Sequence, residues 1–151
     1  MTTKKIYLGA DHAGFHLKER IKHWLDKHHI PYQDLGNVVF DTTDDYPDFA
    51  EKVARKTVAE NSLGILICGS AQGVGIAANK IKGVRAVIPF NLKEARLSRE
   101  HTNANILCLS GWFLHFHRVK KILEIFLTTP FSREPRHQRR LAKIHQLEKK
   151  K

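Results

Sequence analysis

A cysteine, a serine and three glycines fall within eight residues, Cys68-Gly-Ser-Ala-Gln-Gly-Val-Gly75. The residues before them, from Leu63, form an apolar run of buried-strand length, and those from Gly75 to Lys80 read as a small-residue helix. A strand, a glycine-rich turn and a helix N-terminus together aim several backbone N–H groups at one spot, which suits a phosphate or an enolate-like oxyanion. A helix N-terminus is one of the surroundings that can activate a nearby thiol, so Cys68 is a candidate base or nucleophile. Ser70 adds a hydroxyl that can both give and accept a proton. A buried core cysteine followed by a turn serine is the other reading of the same residues. The glycines alone do not decide, because the chain has neither G-x-G-x-x-G after its first strand nor a G-x-x-x-x-G-K-S/T phosphate loop.

Further chemistry-bearing residues lie in separate loops. Asp11 and His12 follow the first apolar run, where Asp11 is also placed to cap the helix beginning at Phe15. His12 and His16 are four apart, the spacing of a metal pair, but no carboxylate or third histidine stands at a spacing that completes it, and no metal is expected. His101 ends a helical stretch, where a cationic ring is favoured by the helix dipole. Arg136 and Arg140 share one helix face, as phosphate clamping or a solvated surface both require. His115 and His117 alternate and read as surface residues, and Cys108 reads as core.

The elements that must position these residues alternate. Short strands are expected at 4–8, 30–35, 63–68, 85–88 and 106–109. Helices are expected from Phe15 through Leu25, from Asp45 through Ala59, from Gly75, over 91–100, over 114–127 and over 136–150. Five strands alternating with helices predict right-handed crossovers and a Rossmann-like three-layer α/β/α fold. A five-stranded parallel sheet is covered on both faces, with an extra C-terminal helix outside the alternation. In such sheets ligands sit beyond the carboxyl ends of the strands, where Asp11, His12, Cys68 and Ser70 fall.

At 151 residues the chain reads as one domain over 1–151, and no apolar run approaches the length of a membrane span. Two cysteines forty residues apart make neither a disulfide framework nor a metal-ligand spacing, so a cytoplasmic, unexported protein is expected. The formal charge of +11 is uneven. Residues 133–151 carry eight Lys or Arg against two Glu, a net +6, which leaves +5 for the rest. This basic tail could serve phosphate, in a small substrate or a polynucleotide. A nucleic-acid-binding module is the weaker reading, since Phe131 is the one aromatic beside the tail available for base stacking.

Read together, the loops give Gly9-Ala-Asp-His-Ala-Gly14, Asp45-Tyr-Pro-Asp-Phe49, Cys68-Gly-Ser70, Gly75-Ile-Ala-Ala-Asn-Lys80, Ser98-Arg-Glu-His101 and Arg136-His-Gln-Arg-Arg140. In order and spacing these resemble the motifs of type B ribose-5-phosphate isomerases and the related galactose-6-phosphate isomerases, over nearly the whole chain. The resemblance implies interconversion of ribose 5-phosphate and ribulose 5-phosphate through a cis-enediolate, without metal or cofactor. The close variant is a six-carbon substrate such as allose or galactose 6-phosphate. It implies Cys68 as the base that moves the proton between C1 and C2, and Ser70 as the group that moves the proton between the two oxygens. His101 would open the sugar ring, assisted by Asp11. His12, Arg136 and Arg140 resemble phosphate ligands, Tyr46 lines the sugar, the backbone of Ala71, Gln72, Gly73, Val74 and Gly75 would form the anion hole, and Gly69 and Thr102 join the implied substrate-binding residues. The family's site lies between two subunits, so a homodimer or homotetramer is implied, with the His101 region supplied by the neighbour.

Three positions depart from that pattern. Ala71 stands where the loop usually has a second glycine, so the backbone must avoid a positive φ or accept strain. Thr102 follows His101 where relatives carry a substrate-contacting Asn, with Asn103 one residue on. Trp112 holds the place of an arginine that adds to phosphate binding.

Overall fold

The structure, a computed structural model, describes residues 4–149. Three strands are apolar at consecutive rather than alternate positions, the signature of a sheet covered on both faces. These are β1 (Ile6–Ala10), β3 (Leu63–Cys68) and β5 (Ile106–Ser110), and every residue of each is buried. The short strands β2 (Tyr32–Asp34) and β4 (Ala86–Val87) flank them, giving a five-stranded, wholly parallel sheet in the order β2-β1-β3-β5-β4.

Successive residues of a strand point to opposite faces, and this alternation builds two cores. Ile65 and Ile67 of β3 and Leu107 and Leu109 of β5 pack with α1 (Phe15–Lys27) and α5 (Phe116–Thr128) through Ile21, Leu25, Ile122 and Phe126. Leu66, Cys68, Ile106 and Cys108 turn the other way, onto α2 (Tyr46–Ala59) and α3 (Gln72–Ala78) through Ala50, Val53, Val74 and Ala78. Each such large aliphatic side chain contributes roughly 1.5–3 kcal/mol by leaving water. The consequence for chemistry is that Cys68 faces the helix that follows it.

The three-layer architecture expected from the alternation is the one observed, with differences at element ends. The second and fourth strands are shorter than the 30–35 and 85–88 of the sequence, because both are edge strands with a single neighbour. The helix expected from Gly75 begins at Gln72, since Ala71 takes a left-handed conformation and turns the chain early. The last helix, α6 (Pro135–Lys149), packs against α4 (Leu92–Thr102), buries Leu141 and has Glu148 accept from the Gly83 N–H at 2.9 Å. Lys150, the expected end of that helix, lies outside the described residues.

Candidate active site

Strand register sets the first group of side chains. Ala10 pairs with Ile67, which places Asp11 and Cys68 side by side at the carboxyl ends of β1 and β3. The Asp11 N–H donates to the Ile67 carbonyl at 3.3 Å, and its carboxylate accepts from the Gly14 N–H at 3.0 Å, capping the 3-10 turn His12–Gly14. The expected cap is therefore present, one turn ahead of α1. Burial pushes the Asp11 carboxyl above its ordinary range, against the opposing pull of that Gly14 bond. The turn can lie on β3 only through Gly14, because a Cβ there would meet the Ile67 carbonyl oxygen at 2.6 Å.

Cys68 is nearly covered, at 4% exposure, while Ser70 is half-buried and accepts a long bond from the Gln72 N–H at 3.4 Å. Between them the chain is tied to the end of β5. The Gly111 N–H donates to the Cys68 carbonyl at 2.9 Å, and the Trp112 N–H donates to the Gly69 carbonyl at 3.2 Å. The Trp112 indole lies against Gly69, where a Cβ would sit 2.5 Å from its ring. Trp112 nonetheless stays 67% exposed, covering the loop with an aromatic face.

Ala71 resolves the first departure by accepting strain, at φ +70° with its methyl fully buried. A left-handed alanine costs about 1–2 kcal/mol. Against that, glycine would lose the burial of one methyl, about 0.8 kcal/mol, and would enlarge the unfolded ensemble by about 0.4–1 kcal/mol. The terms nearly cancel. Ala71→Gly is accordingly expected to change the urea unfolding free energy by less than about 1 kcal/mol, and a larger shift would overturn this balance. Gln72 is exposed, Val74 and Gly75 are buried, and Gly73 carries the Tyr46 ring, which a Cβ would meet at 2.6 Å. Tyr46 is thereby held over the start of α3.

His12 has a partner that its neighbours in sequence do not reveal. Asp44, 32 residues away, accepts from the His12 N–H at 3.0 Å and meets its Nδ1 at 2.7 Å, and Asn37 holds the other Asp44 oxygen at 2.9 Å. Hydrogen bonding to Asp44 raises the His12 pKa above its ordinary value. Asp41, Asp44 and Asp45 form an acidic run in the 36–45 loop, the one sequence signal that could have pointed to this contact. His16, at the four-residue spacing from His12, stacks on Phe40 with ring centroids 5.6 Å apart. The carboxylates missing from that spacing arrive through space instead: Asp11, His12 and Asp44 each offer one atom within 4.8 Å of the others. His12 Nδ1, Asp11 Oδ1 and both Asp44 oxygens carry the hydrogen bonds just described.

The remaining expected residues form a second group. His101, in the last turn of α4, lies on His137 with ring centroids 4.2 Å apart. His137, which sequence reasoning passed over, is 1% exposed, and its Nδ1 meets Ser132 Oγ at 2.7 Å; burial first, and His101 second, lower its pKa. Beside them opens a groove of about 390 Å³ lined by Ile88, Leu97, Ser98, His101 and Thr102. Thr102 is exposed, with its hydroxyl turned back to the Ser98 carbonyl at 2.5 Å. Asn103 is left-handed and caps α4, its side chain and carbonyl accepting from Arg99 and Arg85. On α6 the exposed Arg136 pairs with Glu134 at 2.8 Å, and Arg140 is exposed. Among the described residues no hydrogen bond, ion pair or ring contact joins this group to the one around Cys68. Cys108 is fully buried and its thiol is pushed up by burial, as a core residue should be.

The family model described as Ribose/Galactose Isomerase matches residues 6–144. The probable ribose-5-phosphate isomerase B of Mycoplasma genitalium is 48% identical over 147 residues, covering 95% of each chain. Ribose-5-phosphate isomerase B of Mycobacterium tuberculosis is 43% identical over 143 residues, covering 93% of this chain and 88% of that protein. A crystal structure of the Mycoplasma genitalium ribose-5-phosphate isomerase B with bound ribulose-5-phosphate superposes with a TM-score of 0.94, at 44% identity and full coverage of both chains. With the family model spanning residues 6–144, a shared fold and this extent of identity, the chain belongs to the ribose/galactose isomerase family.

Proposed function

We propose that this chain is an aldose-ketose isomerase that interconverts ribose 5-phosphate and ribulose 5-phosphate. The observation that carries the reading is the gathering of Asp11, His12, Tyr46, Cys68 and Ser70 at the carboxyl ends of β1 and β3, in a fold matched by a protein solved with ribulose-5-phosphate. The described residues 4–149 read as one such domain, with α6 as its basic C-terminal helix.

In the forward direction the Cys68 thiolate takes the proton from C2 of the open-chain aldose. The electron pair moves to the C1 carbonyl oxygen and leaves a cis-enediolate. Ser70 passes the O2 proton to O1, and the thiol returns its proton to C1, giving the ketose. The N–H groups at the start of α3 have no acceptor within their own helix and face the developing oxyanion. His12, Arg136 and Arg140 bind the phosphate, and His101 with Asp11 opens the ring. The separation of the His101 group from the Cys68 group within one chain supports a site completed by a second copy, in a homodimer or a dimer of dimers. Exposed apolar side chains in the loops around Cys68, namely Val38, Val39, Phe40, Trp112 and Phe113, give such a copy a surface to cover. Two free thiols support a cytoplasmic location, and no helix among the described residues is long and apolar enough to cross a membrane.

His12 binds phosphate best as a cation, so its raised pKa extends binding upward in pH. KM for ribose 5-phosphate is expected to climb as pH passes through that raised value. Asp44→Asn should move the climb to lower pH, towards the ordinary histidine range near 6.5. Coincident KM profiles for the two proteins would remove His12 from the phosphate site.

The deciding experiment is isomerisation by purified, chelator-treated protein of ribose 5-phosphate, allose 6-phosphate and galactose 6-phosphate in parallel. Turnover of ribose 5-phosphate supports the proposal. Preference for a six-carbon phosphate would trace to Trp112, which replaces one charge-assisted contact worth about 1.5–3 kcal/mol. Inactivity on all three would overturn it.

A further inference from the structure

Ser110 is the last residue of β5 and pairs in register with Cys68. It is 1% exposed, a hydroxyl kept inside the protein, and it lies on the same face of the sheet as the thiol. Its Oγ donates to the Gly69 carbonyl at 2.6 Å and accepts from the Phe113 N–H at 3.0 Å. The Phe113 bond fixes the hydroxyl rotor, because the lone pair it occupies leaves the proton directed to Gly69. The Gly69 carbonyl therefore receives two donors, Ser110 Oγ and the Trp112 N–H, while the Cys68 carbonyl receives the Gly111 N–H.

Across a planar trans peptide the carbonyl and the following N–H point in opposite directions. A Gly69 carbonyl held towards β5 aims the Ser70 N–H away from β5, and a Cys68 carbonyl held the same way does so for the Gly69 N–H. We propose that Ser110 is a positioning residue, a buried hydroxyl that locks the Gly69–Ser70 peptide so that the Ser70 N–H and the Cys68 thiol face the reacting carbon and oxygen. The assignment rests on the isomerase reading of the site. Ser110 does not touch substrate; it acts through the peptide plane, and the preorganised donor is strongest where charge develops.

The test compares wild type with Ser110→Ala and Ser110→Thr. Loss of the hydroxyl frees the peptide to tilt, and kcat should fall about ten- to a hundred-fold while KM stays within about two-fold. Ser110→Thr restores the hydroxyl and should recover most of kcat. Independently of substrate, the rate at which iodoacetamide alkylates Cys68, followed by mass spectrometry, should differ several-fold between wild type and Ser110→Ala. Urea unfolding of each variant separates a loosened loop from a loosened fold. Wild-type kcat in Ser110→Ala, equal alkylation rates, or a loss that threonine leaves unrepaired in a folded protein would each overturn the assignment. If the wild type turns over none of the sugar phosphates, the isomerase reading fails, and the alkylation comparison still decides whether Ser110 sets the thiol's geometry.

Discussion

Replacing Cys68 with alanine is expected to lower kcat for ribose 5-phosphate by roughly 10²–10⁴-fold, the usual contribution of a positioned acid-base group. The fold should tolerate the change. Cys68 ends a strand, its backbone is held by the sheet and by the Gly111 N–H, and alanine keeps both. What is lost is one polarisable atom facing α3 and with it the proposed proton carrier between C1 and C2. In the proposed site, binding rests on His12 and on amides that alanine leaves in place, so calorimetric affinity for ribulose 5-phosphate should change by no more than a few-fold. A variant that turns over at the wild-type rate would sink the base assignment. Cys108→Ala supplies the contrast: its side chain is fully buried in the same core, so the effect should appear in stability and not in turnover.

Mixing two inactive proteins is expected to restore activity. His101→Ala should lose ring opening as Cys68→Ala loses the base, each to a small fraction of wild type. If one subunit supplies Cys68 and its neighbour His101, a mixed dimer holds one site with both lesions and one with neither. Random exchange at equal concentrations makes about half the dimers mixed, each with one intact site in two, so about a quarter of wild-type activity should return. Brief dilution or mild urea would allow the subunits to exchange before assay. Sites confined to single chains predict no recovery at any ratio.

Much of this arrangement could be read from local pattern. The continuous apolar runs at Leu63–Cys68 and Ile106–Ser110 announce strands buried on both faces, and the loop after Cys68 announces backbone donors. Element ends were less legible. Nothing in the residue type says that Ala71 adopts φ +70°, yet that one backbone choice starts α3 three residues before Gly75. Contacts across long sequence separations were not legible at all. Asp44 reaches His12 from a loop 32 residues on, His137 comes to His101 only because α6 folds onto α4, and Ser110 meets Gly69 through strand order. Trp112, read from its place as a missing cation, turned out to be an aromatic cover for Gly69. Each of these depends on the tertiary fold bringing together what the chain separates.

The position of β5 between β3 and β4 also governs the order in which the protein can be made. Synthesis delivers β4 before the strand that must lie between it and β3. Until residue 110 has left the ribosome, β3 presents an unpaired edge on that side, and edges of buried apolar strands recruit other chains. The Cys68 loop remains untethered over the same interval, since the donors that fix it belong to Ser110, Gly111 and Trp112. A nascent chain halted before Ile106 would carry a loose, reactive thiol and an adhesive edge. One extended past Trp112 closes the edge and supplies the loop's donors together, so maturation of the thiol is coupled to completion of the sheet.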